Sequence, residues 1–151
     1  ADRLSVKILD KILFASGEAT ISGKGQDVLK RVGKVLASAR DKDKIIRIEG
    51  HTDNVPIGPK IKDKFATNWE LSTARATTVV RFLAESSKIP PDAFEAAGLG
   101  EHHPAAKNDT PQSRQQNRRI EIILYPRVQE LAKELPKVKE QPAAVDIKPS
   151  P

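Results

Sequence analysis

Two side chains of opposite charge carry the first chemical reading of this chain: Asp53, in Gly50-His51-Thr52-Asp53-Asn54, and Arg75, in Asn68-Trp69-Glu70-Leu71-Ser72-Thr73-Ala74-Arg75. Asp53 follows a short β-branched segment, residues 45–49, that ends at Gly50. A glycine there permits close backbone approach, and the carboxyl end of a strand in an α/β sheet leaves room for a ligand. Asn68, Leu71, Ser72 and Arg75 stand at i, i+3, i+4 and i+7, so on a helix they share one face near its amino-terminal end. If Asp53 reaches the same place, a carboxylate and a guanidinium lie side by side. That pair recognises a zwitterion, the carboxylate holding an ammonium and the planar Arg fork holding a carboxylate. Two plainer readings stay open: an internal Asp53–Arg75 salt bridge, or Asp53 and Asn54 simply satisfying turn amides. Two or three charge-assisted hydrogen bonds at about 1.5–3 kcal/mol each, less ordering costs, predict a weak single site, roughly micromolar to millimolar. A homodimer or an array of anchored copies on a continuous polymer would gain avidity without tighter sites.

Other chemistries are less well furnished. Zero Cys excludes a disulfide framework, a thiolate zinc site and a Cys nucleophile. His51, His102 and His103 with Asp53, Glu101 and Asp109 have the composition of a metal hydrolase, but no HxH or HxxxH spacing presents two imidazoles on one face, so no metal and no cofactor is expected. Ser72 lies outside any Gly-x-Ser-x-Gly elbow, so no catalytic residue is assigned. The net charge of +6, with Arg114, Arg118, Arg119 and the Lys60, Lys62, Lys64 run, raises nucleic acid as a partner. One Trp and one Tyr offer little stacking surface and no helix carries a basic base-reading stripe, so no nucleic acid partner is expected.

The elements that must position these groups follow from periodicity. Residues 4–14 alternate loosely and predict a strand kinked at Asp10-Lys11. Ser22 caps a helix with a stripe of Val28, Leu29, Val32, Val35, Leu36 and Ala39. After the strand at 45–49 comes a loop through Pro56, Gly58 and Pro59. Thr67 with Glu70 forms a capping-box pattern that opens a second helix, whose stripe is Leu71, Ala74, Thr78, Val79, Phe82 and Leu83 and which stops at Ile89-Pro90-Pro91. Trp69 reads as packed at that helix start rather than as a ligand platform. A strand at 94–99, a long polar loop over 100–116 and a strand at 119–125 complete the order βαβαββ. These elements predict an α/β (α+β) two-layer sandwich, with a four-stranded mixed sheet and two main helices on one face.

The chain divides at about residue 126. Residues 127–151 are rich in Pro, Lys and Glu and lack aromatics, which reads as a largely flexible tail with at most a short helix over 128–135. Five basic against four acidic residues give the tail +1, leaving +5 on the body, 1–126. No apolar run approaches the roughly 20 residues that span a bilayer. The absence of Met predicts a processed or excised piece, with any anchoring segment upstream of Ala1.

Four ordered motifs resemble the OmpA-like peptidoglycan-binding domain family: Gly50-His51-Thr52-Asp53-Asn54; Asn68-x-x-Leu71-Ser72-x-x-Arg75-Ala76-x-x-Val79; Gly98-x-Gly100-Glu101-x-x-Pro104 with Asn108; and Asn117-Arg118-Arg119-Ile120-Glu121-Ile122. The likeness covers about residues 4–125. It implies a non-catalytic domain that binds the diaminopimelate of the peptidoglycan stem peptide, with Asp53 on the ammonium and Arg75 on the carboxylate of its amino acid head. Thr52, Asn68 and Leu71 would line the site, Arg118 would close it, Asn117 would hold the loop, and Glu121 would be structural. Val55-Pro56-Ile57 and Asn68-Trp69-Glu70-Leu71-Ser72 are most similar to the flagellar-stator branch of the family, whereas the Lys-rich stretch 58–64 departs from it. The resemblance implies a periplasmic location in a Gram-negative bacterium and an inner- or outer-membrane anchor outside this chain. The alternatives are an outer-membrane lipoprotein or barrel tether and, in another class, a metal-dependent wall hydrolase.

Overall fold

A computed structural model describes residues 4–40 and 44–126. The tail expected over 127–151 lies outside the described residues. The elements are β1 (Leu4–Leu9), α1 (Asp10–Leu13), α2 (Gly23–Ala39), β2 (Lys44–His51), α3 (Asn68–Ser86), a 3-10 turn (Pro91–Ala93), β3 (Phe94–Gly98), α4 (Pro111–Asn117) and β4 (Arg119–Pro126). The strands form one mixed sheet in the order β1-β4-β2-β3, with β4 antiparallel to both β1 and β2, and β2 parallel to β3. This is the four-stranded α+β architecture expected from the periodicity, with two short helices added.

Alternation along the strands decides which face is covered. Ile8, Ile46, Ile48, Ile120, Ile122 and Leu124 project toward the helices and join Leu13, Leu29, Leu36, Val79 and Leu83 in one buried core. Each such aliphatic side chain contributes about 1.5–3 kcal/mol on full burial. The odd-numbered positions Arg47, Glu49, Arg119 and Glu121 fall on the other face.

Several local readings need correction. The first strand ends at Leu9, and the expected kink is the start of a helical turn that turns Leu13 and Phe14 into the core. On α2, Val35 is 60% exposed and Ala39 is also exposed. The buried line is instead Gly25, Leu29, Gly33 and Leu36: a Cβ on Gly25 would lie 2.6 Å from the Leu13 carbonyl oxygen, while Gly33 faces Leu83 and Ser87 at ordinary packing distance. On α3, Ala76 takes the fully buried place, while Ala74 and Thr78 are half-buried. The expected polar loop over 100–116 contains most of α4; its Thr110 cap and Pro111 at the first turn are helix-start signals on a segment too polar to show an apolar stripe. Trp69 is 49% exposed and stacks on His102 with ring centroids 4.7 Å apart, rather than being packed inside.

Candidate ligand-binding site

The site forms where strand ends meet the amino-terminal half of α3. Two glycines make that approach possible. A Cβ on Gly50 would lie 2.2 Å from the Ser72 carbonyl oxygen, and one on Gly98 would lie 2.0 Å from Thr73 Oγ1. With no side chain at either position, α3 lies directly across the paired ends of β2 and β3. Polar bonds then lock the junction: the Leu99 N–H donates to the Gly50 carbonyl, the Thr52 N–H to the Gly100 carbonyl, and the Gly100 N–H to Ser72 Oγ. Thr67 caps α3 by accepting from the Trp69 N–H, while its own hydroxyl donates to the Glu70 carboxylate. Asn68 Nδ2 donates to the Val55 carbonyl at 3.1 Å, which fixes the loop after β2 against the first turn of α3.

Register brings the charges together. Leu9 and His51 both pair with Arg119, so the next residues outward, Asp10, Arg118 and the Thr52-Asp53 turn, share one end of the sheet. Asp53 Oδ2 accepts from Arg118 Nη1 at 2.6 Å, and its Oδ1 accepts from the Val55 N–H at 3.0 Å. Arg118 Nε lies 3.7 Å from Asp10 Oδ1. Asp10 Oδ2 in turn accepts from Arg75 Nη1 at 3.0 Å. Arg75 Nε donates to the Glu18 carbonyl at 2.9 Å, and its guanidinium carbon sits 4.9 Å above the centre of the Phe14 ring. Burial draws the Arg75 pKa below its ordinary value and the Asp10 charge opposes that shift; an arginine nevertheless stays protonated.

All six residues singled out from the sequence, Thr52, Asp53, Asn68, Leu71, Arg75 and Arg118, line one cavity of about 400 Å³. The internal Asp53–Arg75 salt bridge is not formed. The pairing is crossed, Asp53 with Arg118 and Arg75 with Asp10, giving a chain of alternating charge. Sequence reasoning missed Asp10 and Phe14. The available signal was a carboxylate breaking an apolar alternation at the kink, but its guanidinium partner is 65 residues away in the chain. Asn117 holds the neighbouring loop as expected, its Oδ1 accepting from the Ala105 and Ala106 N–H groups and its Nδ2 donating to Asn108 Oδ1.

The histidines do not gather around Asp53. His102 is stacked on Trp69, and His51 turns to the helix-free face of the sheet. There Glu49, His51 and Glu121 place potential ligand atoms within 4.8 Å of one another. Their charges are already engaged: Arg47 Nε donates to Glu49 at 2.8 Å and Arg119 Nε to Glu121 at 2.6 Å. His51 Nε2 lies 3.2 Å from Glu49 Oε1. An ionised carboxylate only accepts, so the proton belongs on Nε2, and the buried Nδ1 has no partner. A metal-bound imidazole uses one nitrogen for the ion and donates with the other; Nδ1 has no acceptor for that bond. Burial, and then the Arg119 charge, push the His51 pKa below its ordinary value, while Glu49 and Glu121 oppose the shift. Burial raises the Glu49 pKa, but the hydrogen bonds from Arg47 and His51 outweigh it and leave the carboxyl below its ordinary range.

Fold and site together define a small two-layer α/β domain with a charge-lined pocket at the carboxyl end of its parallel strands. The chain belongs to the OmpA family, whose model matches residues 13–118. It is 37% identical over 127 residues to Motility protein B of Bacillus subtilis, an alignment covering 84% of this chain and 47% of that protein. It thus spans about half the length of that relative. In fold it is similar to the periplasmic domain of Helicobacter pylori MotB, with a TM-score of 0.75, 25% identity and coverage of 86% of this chain and 87% of that one. It is also similar to the cell wall anchor of the T6SS from Pseudomonas aeruginosa, with a TM-score of 0.71, 32% identity and coverage of 83% of each chain. None of the three is named for an enzymatic activity.

Proposed function

We propose that this domain binds peptidoglycan without catalysis, by holding the zwitterionic head of the stem-peptide diaminopimelate, and so anchors an envelope protein to the cell wall. The observation that carries the reading is the cavity of about 400 Å³ lined by the Asp53 carboxylate and the guanidiniums of Arg75, Arg114 and Arg118, with Asp10 outside the lining and paired to Arg75 and Arg118. Asp53 takes the ligand ammonium, since a carboxylate has about four lone-pair sites and two of its acceptor directions are in use. Arg75 takes the ligand carboxylate with donors left over from Asp10 and the Glu18 carbonyl. Arg118, whose side chain is 34% exposed, is the mobile member that shares Asp53 with the ligand and closes over it. Thr52, Asn68 and Leu71 set the wall, and Val55, Pro56, Ile57 and Ile61 supply apolar contact for the methylene chain behind the head. Kinship with a motility protein and with a cell wall anchor supports a role as the periplasmic, wall-holding part of a flagellar stator, its membrane anchor lying in a separate segment.

Sedimentation with purified diaminopimelate-type peptidoglycan tests the reading. Wild-type protein is expected in the pellet, and Asp53→Asn, which keeps shape and removes the charge, is expected to stay in the supernatant with its melting temperature little changed. Equal retention of a folded Asp53→Asn protein would refute the assignment, and release of soluble muropeptides would make the domain a hydrolase.

A further inference from the structure

The charges of the pocket do not close on themselves. Asp53, Arg75 and Arg118 line the cavity, and Asp10, outside its lining, completes a balanced quartet through its contacts with both arginines; a further ionisable side chain, Arg114 of α4, lines the same cavity. Its Nε is sealed from solvent and meets no acceptor, and among the described residues no carboxylate lies within ion-pair distance of it. Arg118, one turn further on, is by contrast tied to both Asp53 and Asp10. The quartet is neutral, so Arg114 leaves the cavity with one excess positive charge that no carboxylate among the described residues pairs.

Arg114 is also held in place rather than left on a loose loop. Thr110 caps α4 by accepting from the Ser113 N–H, Pro111 opens it, and Asn117 at its end is fully buried and bonded to the 105–108 loop. These bonds fix the backbone of α4 and so the place from which Arg114 reaches the cavity, and the natural complement of its guanidinium is a carboxylate taken bidentately. A neutral zwitterionic head at Asp53 and Arg75 would leave that guanidinium unmatched.

We propose that Arg114 binds a second carboxylate of the same ligand, one lying beyond the zwitterionic head, so that the domain distinguishes free stem peptides from those whose further carboxylates are amidated. This rests on the reading of Asp53 and Arg75 as the site of the head. It adds a rule of selectivity to that reading: a net negative peptide is preferred over its neutral amide.

Titration of the whole chain, followed by calorimetry or by amide shifts, tests this with two probes. One is the N-acetylated alanyl-glutamyl-diaminopimelate tripeptide with all carboxylates free; the other is the same acetylated peptide with every carboxylate outside the zwitterionic head converted to carboxamide. Wild type is expected to bind the free peptide about tenfold more tightly than the amide, in line with one lost charge-assisted bidentate contact. Arg114→Gln is expected to bind both peptides alike, at the level of wild type with the amide, and Arg114→Lys to recover part of the preference. Equal weakening of both peptides by Arg114→Gln, or no preference in the wild type, overturns the proposal. Asp53→Asn separates the two layers. If it abolishes binding of both peptides while wild type shows no preference, Arg114 alone is wrong. If it leaves both affinities intact, the placement of the head is wrong, and the assignment of Arg114 as a reader beyond it falls with it.

Discussion

Two ionic clusters of nearly the same composition sit in different parts of this small domain, and they have opposite character. Beyond the sheet end, Asp10, Asp53, Arg75 and Arg118 form a charge-alternating chain, of which Asp53, Arg75 and Arg118 line a cavity. On the helix-free face, Glu49, Glu121, Arg47 and Arg119 surround a neutral, buried His51. In the second cluster each guanidinium returns to the carboxylate two residues along its own strand, and Arg119 spends its remaining donors on the Asn117 and His103 carbonyls. Its charges are matched pair by pair within the face, although it too lines a cavity, of about 530 Å³, and the buried His51 Nδ1 has no partner. In the first cluster every pair joins different elements, carboxylate lone pairs and guanidinium donors remain, and Arg114 adds an unpaired charge. Ligand capacity therefore follows from donors and acceptors left over inside a cavity, not from the number of charges.

The sharpest way to break this comparison is to remove one buried arginine from each cluster. Arg75→Ala leaves Asp10 with only its longer contact to Arg118, and Arg119→Ala leaves Glu121 with only His51; each is expected to cost about 3–5 kcal/mol, seen as a fall in melting temperature on the order of 10 °C. At a temperature where both variants remain folded, only Arg75→Ala should lose peptidoglycan binding. Loss in both would show that the open-face cluster also serves the ligand. Next in size, Gly50→Ala drives a Cβ into the Ser72 carbonyl and must push α3 away from the strand ends. A cost of about 1–3 kcal/mol is expected, together with weaker binding, because Asn68, Leu71 and Arg75 move as one face. Unchanged affinity in this variant would mean that the site tolerates a displaced α3.

The smallest effect concerns pH. His51 has a folded pKa below 6.5, so the unfolded chain takes up a proton that the folded chain refuses. Its contribution to stability is full above about pH 6.5 and is lost as pH falls from there through the folded pKa. Glu49, also shifted down, adds a loss only below 4.5. Denaturant melts at pH 7.5 and 5.5 should show the wild type losing stability, and His51→Gln should flatten that difference without altering ligand affinity at either pH. A slope that persists in His51→Gln would place its origin elsewhere.

Much of this could be read from residue order. Capping residues Ser22 and Thr67 mark their helices because a cap bond spans only two or three residues. Asn68, Leu71 and Arg75 share a face because helical periodicity leaves no choice. The inner line of α2 is not legible in an apolar stripe, since two of its four positions are glycines, Gly25 set against Leu13 and Gly33 against Leu83 and Ser87. Arg114 could be seen in the sequence only as one more positive charge. What makes it different is an Nε shut off from water with no acceptor, and that depends on everything packed around it.

Periodicity, caps and residue types by themselves determined a four-stranded two-layer fold and the shared face of Asn68, Leu71 and Arg75, because those signals act over one or two turns of chain; Thr52 and Arg118 entered only through the family resemblance, and Asp10 and Arg114 were not singled out as site residues. Which carboxylate meets which guanidinium was decided only by the tertiary structure. The order β1-β4-β2-β3 sets β4 between β1 and β2, and the shared register at Arg119 lays Asp10 and Arg118 beside Asp53, from 43 and 65 residues away in the chain. Charge attraction carries no sequence period, so those partners are chosen by the sheet that brings them within reach.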